Sequence, residues 1–213
     1  MLSLIYGDNF KQHNQLPQID SSEEGHFFKF FDLSCIVSAK DLIIPINAAN
    51  VTDHSFEGMF VGNYYLEEIP EILPATIPEF FFYNCTSLVN VILPNNVTNI
   101  AYGAFQACTG LTNLVIPNSV TTIGQQSIQS CTSLVSITIP SSVTSIGNSA
   151  FLYCSNLASV TVEATTPPTI GTNVFNNNAS GRKIYVPANS ENTYEAATNW
   201  STYAADIEPI PTT

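Results

Sequence analysis

The sequence predicts an α/β repeat: a right-handed solenoid with a short parallel strand per coil and a helix capping its C-terminal end. Three observations predict it. Cys85, Cys108, Cys131 and Cys154 recur every 23 residues. Behind each cysteine, apolar residues hold fixed offsets: Leu88, Leu111, Leu134 and Leu157, then Val91, Leu114, Ile137 and Val160, then Leu93, Ile116, Ile139 and Val162. Pro94, Pro117 and Pro140 close the first three units. A period of this length marks stacked coils, and the L-x-x-L-x-L core is the signature of leucine-rich repeats.

Stacking is forced by energetics. A single unit buries about six apolar side chains, such as Phe105, Leu111, Leu114, Ile116, Val120 and Ile123. That burial recovers less than the entropy lost in ordering the unit. Only neighbours on both sides close the difference, so stability becomes a nearest-neighbour property and both ends need caps.

Within each unit the strand lies in the L-x-x-L-x-L segment. Alternation turns the leucine-type positions inward and leaves the residues between them outside. The expected ligand-binding face is therefore Asn90 and Ile92; Thr112, Asn113 and Val115; Val135, Ser136 and Thr138; Ser159 and Thr161. Val89 and Ala158 flank it. The proline after the strand cannot donate to the ladder and fixes the exit. After it come Val97, Val120 and Val143, then Ile100, Ile123 and Ile146, then the convex position held by Phe105, Ile128 and Phe151. Gly124 and Gly147 suit a tight turn after the inward isoleucine.

The flanks read as less regular versions of the same unit. Residues 1–25 are an N-terminal cap and loop, residues 26–187 the solenoid with its regular units at 82–162, and residues 188–213 a helical cap and tail. The first unit is degenerate, with Phe27, Phe28, Phe30, Phe31, Ile36, Leu42 and Ile44. In the second, Phe56, Met59 and Phe60 take the convex connection, Asn63 the cysteine position, and Ile69, Ile72 and Leu73 the strand. Asn178 takes the cysteine position of the last unit, and Lys183 to Val186 its strand. Ser190 N-caps a helix. Tyr194, Ala197, Trp200, Tyr203 and Ile207 then give it an apolar face at three- and four-residue spacing. That helix is expected to close the open end of the core, with Trp200 as filler rather than ligand contact.

Charge excludes several functions. The net charge is −12 with five basic residues, and no lysine or arginine occurs from Asp41 to Gly181. Nucleic-acid binding needs cations to release counterions from phosphate, and none are offered here. Anionic membranes are disfavoured for the same reason. No apolar run is long enough to span a bilayer, and no signal peptide is visible at Met1.

Cysteine count and titratable groups add little chemistry. Five cysteines cannot all pair internally. An in-register column points its sulfurs the same way, which favours free buried thiols over stacked disulfides. A single file of sulfurs cannot surround an ion tetrahedrally. Cys35 falls outside the register and reads as core filler. The best catalytic candidate, Asp53-His54 with Glu57 nearby, has no assured nucleophile, so a solvated histidine is expected. His13 lies in a polar loop, and His26 sits beside Glu23 and Glu24. A metal site from His26 and His54 would need adjacent coils to align. Glu67, Glu68 and Glu71 form an acidic edge with carboxylates that calcium accepts, though a solvated edge is the plainer reading. Asn50, Asn84, Asn96, Asn178 and Asn199 head glycosylation triplets that the repeat itself generates. No catalytic, cofactor or metal residues are assigned.

The units from "CTSLVNVILPNNVTNI" through "SSVTSIGNSAFLYCSNL" resemble the BspA-like, or treponemal-type, leucine-rich repeat family. The stretches "SLIYGDNF" and "MFVGNYYLEEIPEILPATIPEFFFYNCTSL" resemble its longer-unit variant from gut Bacteroidetes. The tail "KIYVPANSENTYEAATNWSTYAADIEPI" resembles its usual terminal cap. The resemblance implies a cell-surface or secreted adhesion protein that binds other proteins or host matrix, without a catalytic constellation or a cofactor.

The expected function is thus non-catalytic binding of a protein or glycan on the concave sheet. The alternative is a structural segment of a fibre, phage tail component or oligomeric assembly, whose outer stripe is a self-interface. An enzyme is disfavoured because acid–base catalysis needs titratable groups near substrate, and the central units have none.

Overall fold

The computed structural model describes residues 37–41 and 56–211. Each regular coil runs through a turn segment, a cysteine-column position, a strand, a proline corner and a second, shorter strand. The first strand column holds β2 (Asn90–Ile92), β4 (Asn113–Val115), β6 (Ser136–Ile139), β8 (Ser159–Val162) and β10 (Lys183–Val186). The second holds β1 (Thr76–Ile77), β3 (Asn99–Ile100), β5 (Thr122–Ile123), β7 (Ser145–Ile146) and β9 (Thr169–Ile170). All pairs are parallel and in register by coil, with Val91 beside Leu114 and Ile137 beside Val160. The side-chain period of two then stacks like on like, and Leu111 and Leu134 are both fully buried.

The second strand column adds to the one strand per coil that the sequence predicts. Each of its strands is two residues long, too short for alternation to register in sequence. Its five strands form one continuous sheet, β1-β3-β5-β7-β9. The first column does not. It divides into β2-β4 and β6-β8-β10, the latter extended by β11 (Ile207–Pro209).

The convex connections carry no α-helix among the described residues. They are six-residue turns with two left-handed residues each: Phe80 and Asn84, Gly103 and Ala107, Gln126 and Ser130, Ser149 and Tyr153, Asn173 and Asn177. Left-handed backbone costs a non-glycine residue about 1–2 kcal/mol. Here it aims every second N–H at the next coil: Phe80 to Tyr102 O, Phe82 to Ala104 O and Asn84 to Gln106 O, at 2.8–2.9 Å. The stack holds the strain in place. Gly124 serves differently from the expected tight turn. Its φ is not positive, and an added Cβ would lie 2.6 Å from the Ile100 carbonyl oxygen, so glycine is needed for close approach.

One apolar cluster runs from Ala39 to Ile207. Phenylalanines stack along it, Phe60 on Phe82 at 5.4 Å, Phe82 on Phe105 at 5.2 Å and Phe151 on Phe175 at 5.5 Å, with Ile128 interrupting the column. In the second unit the strand reduces to a bridge between Ser38 and Glu68. Leu73 is buried as expected, but Ile72 is 53 % exposed, so it does not belong to the inward set.

The C-terminal cap is also more divided than the apolar spacing implied. Helix α1 (Glu191–Ala196) stops at Ala197, a 3-10 helix covers Trp200–Asp206, and Ile207 opens β11, which pairs with β10. Asn199, at φ 66°, makes the break. Ser190 stands at the N-cap position without a side-chain cap bond. The lid itself is as expected: Trp200 is fully buried, donates to Pro168 O at 2.8 Å and meets Tyr194 edge-on.

Candidate ligand-binding face

Strand alternation delivers the outer face. Ile92, Val115 and Val135 are 61, 42 and 55 % exposed, and Asn90, Thr112, Asn113, Ser136 and Thr138 are exposed with them. Asn113 donates to Asn90 Oδ1 at 2.6 Å, and Thr112 Oγ1 to Val89 O at 3.1 Å, which holds these polar groups in file. Ser159 and Thr161 are only half-exposed. Lys183 and Tyr185 pair with them in register, and these larger side chains flank them. The freely accessible part of the face is therefore the β2–β6 region.

Two depressions interrupt this face. One, of about 890 Å³, joins Val89, Asn90 and Ile92 to the acidic edge at Glu67, Glu68 and Glu71. Ser38 hydrogen-bonds Glu68, and Lys40 lies 3.7 Å from Glu71. Among the described residues no group of three histidine, cysteine, aspartate or glutamate side chains is arranged to hold an ion. The other, of about 670 Å³, opens between β4 and β6 over Leu114, Ile116 and Ile137, with Asn95, Asn118 and Glu163 at its margins. Those three were not assigned to the face from the sequence. The available signal was Glu163, which alone carries charge between Glu79 and Arg182.

The cysteine column is structural. Cys85, Cys108, Cys131 and Cys154 are free, buried thiols. Each donates to a carbonyl of the preceding coil, at Phe60, Phe82, Phe105 and Ile128, over 3.0–3.2 Å. Burial raises all four thiol pKa values, to about 12 for Cys108 and Cys154, so they are poor nucleophiles. Asn178 continues the column by donating to Phe151 O at 2.8 Å. Asn96 and Asn199 donate to Leu73 O and Ile170 O, so these triplet asparagines hold coils together. Asn84 is half-buried and reaches Tyr64 Oη at 3.4 Å. Cys35, Asn50, Asp53, His54, His13 and His26 lie outside the described residues. Glu57 is half-buried.

A family model for the BspA type leucine-rich repeat region matches residues 75–203 in six copies. The chain belongs to the BspA-type leucine-rich repeat family. Among solved structures it is similar to a leucine-rich repeat protein of T. pallidum, at 36 % identity over 49 % of this chain and 50 % of that one, TM-score 0.48. A leucine-rich repeat protein from Bacteroides ovatus matches at 29 % identity over 61 % of this chain and 34 % of that one, TM-score 0.54. A leucine-rich cell surface protein from Faecalibacterium prausnitzii shares the fold at 22 % identity, over 68 % of this chain and 47 % of that one, TM-score 0.50. The BspA-type chain thus spans half or less of the length of each of these structures. No curated protein matches it. BspA-type repeats are generally non-enzymatic, and commonly serve as protein-interaction modules.

Proposed function

We propose that this BspA-type chain is a non-catalytic binding module that docks a protein or glycan partner on its strand face, at the bacterial surface or after secretion. The observation that supports it most is the face itself. Four aliphatic side chains, Val89, Ile92, Val115 and Val135, stand 42–61 % exposed among ordered amides and hydroxyls, with no charged residue between them. A patch of this kind favours apolar contact and neutral hydrogen bonds over ion pairing.

The reading is tested by measuring binding to immobilised matrix proteins and neutral polysaccharides between 50 and 500 mM salt, on the order of a threefold change in screening length. Retention is expected to stay level with salt. The double variant Thr112→Glu, Val115→Glu is expected to lose binding while keeping its Tm. Retention that collapses with salt, or that survives the double variant, removes this face from consideration. A concentration-dependent oligomer in sedimentation that the same variant dissolves would instead make the stripe a self-interface.

A further inference from the structure

At the C-terminal end of the stack, side chains take the place of a following coil. In the regular coils the carbonyls of Ile100, Ile123 and Ile146 accept the N–H groups of Gly124, Gly147 and Gly171. Those of Thr98, Thr121 and Thr144 accept the N–H groups of Thr121, Thr144 and Thr169. The register carries Thr144 and Ile146 onto Pro168 and Ile170 of the last coil. There Pro168 O accepts from Trp200 Nε1 at 2.8 Å and Ile170 O from Asn199 Nδ2 at 2.7 Å. The Phe151 N–H reaches Val174 O, whereas the matching Phe175 N–H donates to Tyr203 Oη at 3.2 Å. Strand β11 is then the last edge of the strand face. The Ile210 N–H donates to Val186 O at 2.8 Å, and Val186 stands beside Pro209. Successive residues of a strand turn their main-chain groups to opposite sides. Glu208 and Ile210 therefore face β10, and Ile207, Pro209 and Pro211 face away from it. The Ile207 N–H is taken by Ala204 O. The two prolines have none to give, and both are exposed. From Ile207 to Pro211 the outward side of this edge offers carbonyls and no donor.

We propose that this edge is built to refuse a second copy of the chain, so that copies do not join end to end through it. A bare strand edge is a template for pairing with another chain, and a ladder needs donors from both partners. Two β11 edges brought together would set carbonyls against carbonyls. Any other strand laid along β11 would gain only the bonds it donates itself, and would meet a proline ring wherever it sought an N–H. The side chains of Asn199, Trp200 and Tyr203 close the shorter column in the same way, because they already occupy the groups that a further coil would use. An assembly of these chains therefore has to form through another surface. This holds whether or not the strand face is the docking surface.

The test is sedimentation of the full chain carrying Thr112→Glu, Val115→Glu, which removes association through the strand face. That chain is expected to stay monomeric up to about millimolar concentration. Adding Pro209→Thr, Pro211→Thr restores two outward N–H groups. It is expected to raise the self-association constant at least about ten-fold, the scale of one or two net main-chain hydrogen bonds. The amides created at positions 209 and 211 should then exchange more slowly as concentration rises. Ile210→Thr places the same side chain where the N–H faces β10, and should leave the chain monomeric. If the double proline change disturbs the cap, read by the fluorescence of Trp200, the single change Pro211→Thr beyond the strand carries the same comparison. Association through β11 with both prolines in place overturns the proposal. So does a chain that stays monomeric without them, equal association of the Ile210→Thr chain, or protection that maps away from positions 209 and 211.

Discussion

The middle and the C-terminal end of the cysteine column solve one problem with different chemistry. In the middle, a carbonyl such as Phe105 O accepts the N–H of Cys108 in its own coil and the thiol of Cys131 in the next. A weak donor suffices there because a further coil excludes water. At the end no further coil follows. Phe151 O takes the Asn178 amide, and Phe175 O takes the guanidinium of Arg182, which is 8 % exposed. Arg182 also pairs with Asp206 and lies over the rings of Phe175 and Tyr203, at 5.7 and 5.2 Å. A repeat's interior thus tolerates a minimal donor, while its terminus needs a strong one with several partners.

Alkaline pH should separate the two regions most. The thiols have folded pKa values raised above the ordinary 9.0, to about 12 for Cys108 and Cys154. The neutral form is favoured in the fold, so its contribution is complete below about pH 9 and falls as pH rises toward 12. Above pH 9 the unfolded state holds fewer protons, and stability should drop by about 1.4 kcal/mol per pH unit for each thiol. Denaturant titrations at pH 8, 9 and 10 check this. Cys131→Ala should flatten the slope by one thiol's share, and an unchanged slope would show that the column opens before it ionises.

The end should yield next to Arg182→Met. That change leaves Phe175 O and Asp206 without their cation, and is expected to cost about 3 kcal/mol, the lower range for a broken buried pair because Asp206 keeps a third of its surface. If the two regions differ in this way, hydrogen exchange should rise in β10 and β11 before it rises in β4. Uniform loosening would mean that the stack melts as one unit.

The smallest effect concerns an irregular spot in the middle. Ser127 is fully buried, its hydroxyl has no hydrogen-bond partner among the described residues, and Ala104 and Ala150 hold the same place in adjacent coils. Ser127→Ala should raise stability by about 1 kcal/mol, read as a higher denaturant midpoint. A loss instead would show that the hydroxyl has a partner such as a buried water.

Legibility followed the length scale of each signal. The inward set from Leu88 to Val162 was readable because each position repeats at a fixed offset. The ten-residue face followed from alternation, and eight of its members are exposed. Ser159 and Thr161 fell short because Lys183 and Tyr185, 24 residues on, lie beside them in space. The cap helix was read too long because Tyr194, Trp200 and Ile207 all face the core, and burial spacing cannot distinguish one helix from a helix, a 3-10 turn and a strand.

The sequence alone determined the stacked architecture, the buried cysteine column and the charge-free outer stripe, because each depends on a residue type recurring at a set interval. Only the tertiary structure decided where the outer sheet divides, that a second strand column runs unbroken behind it, and that Arg182 closes the carbonyl column. Those features depend on which groups of neighbouring coils reach one another, and hydrogen-bond partners more than twenty residues apart are chosen by the packed stack rather than by local pattern.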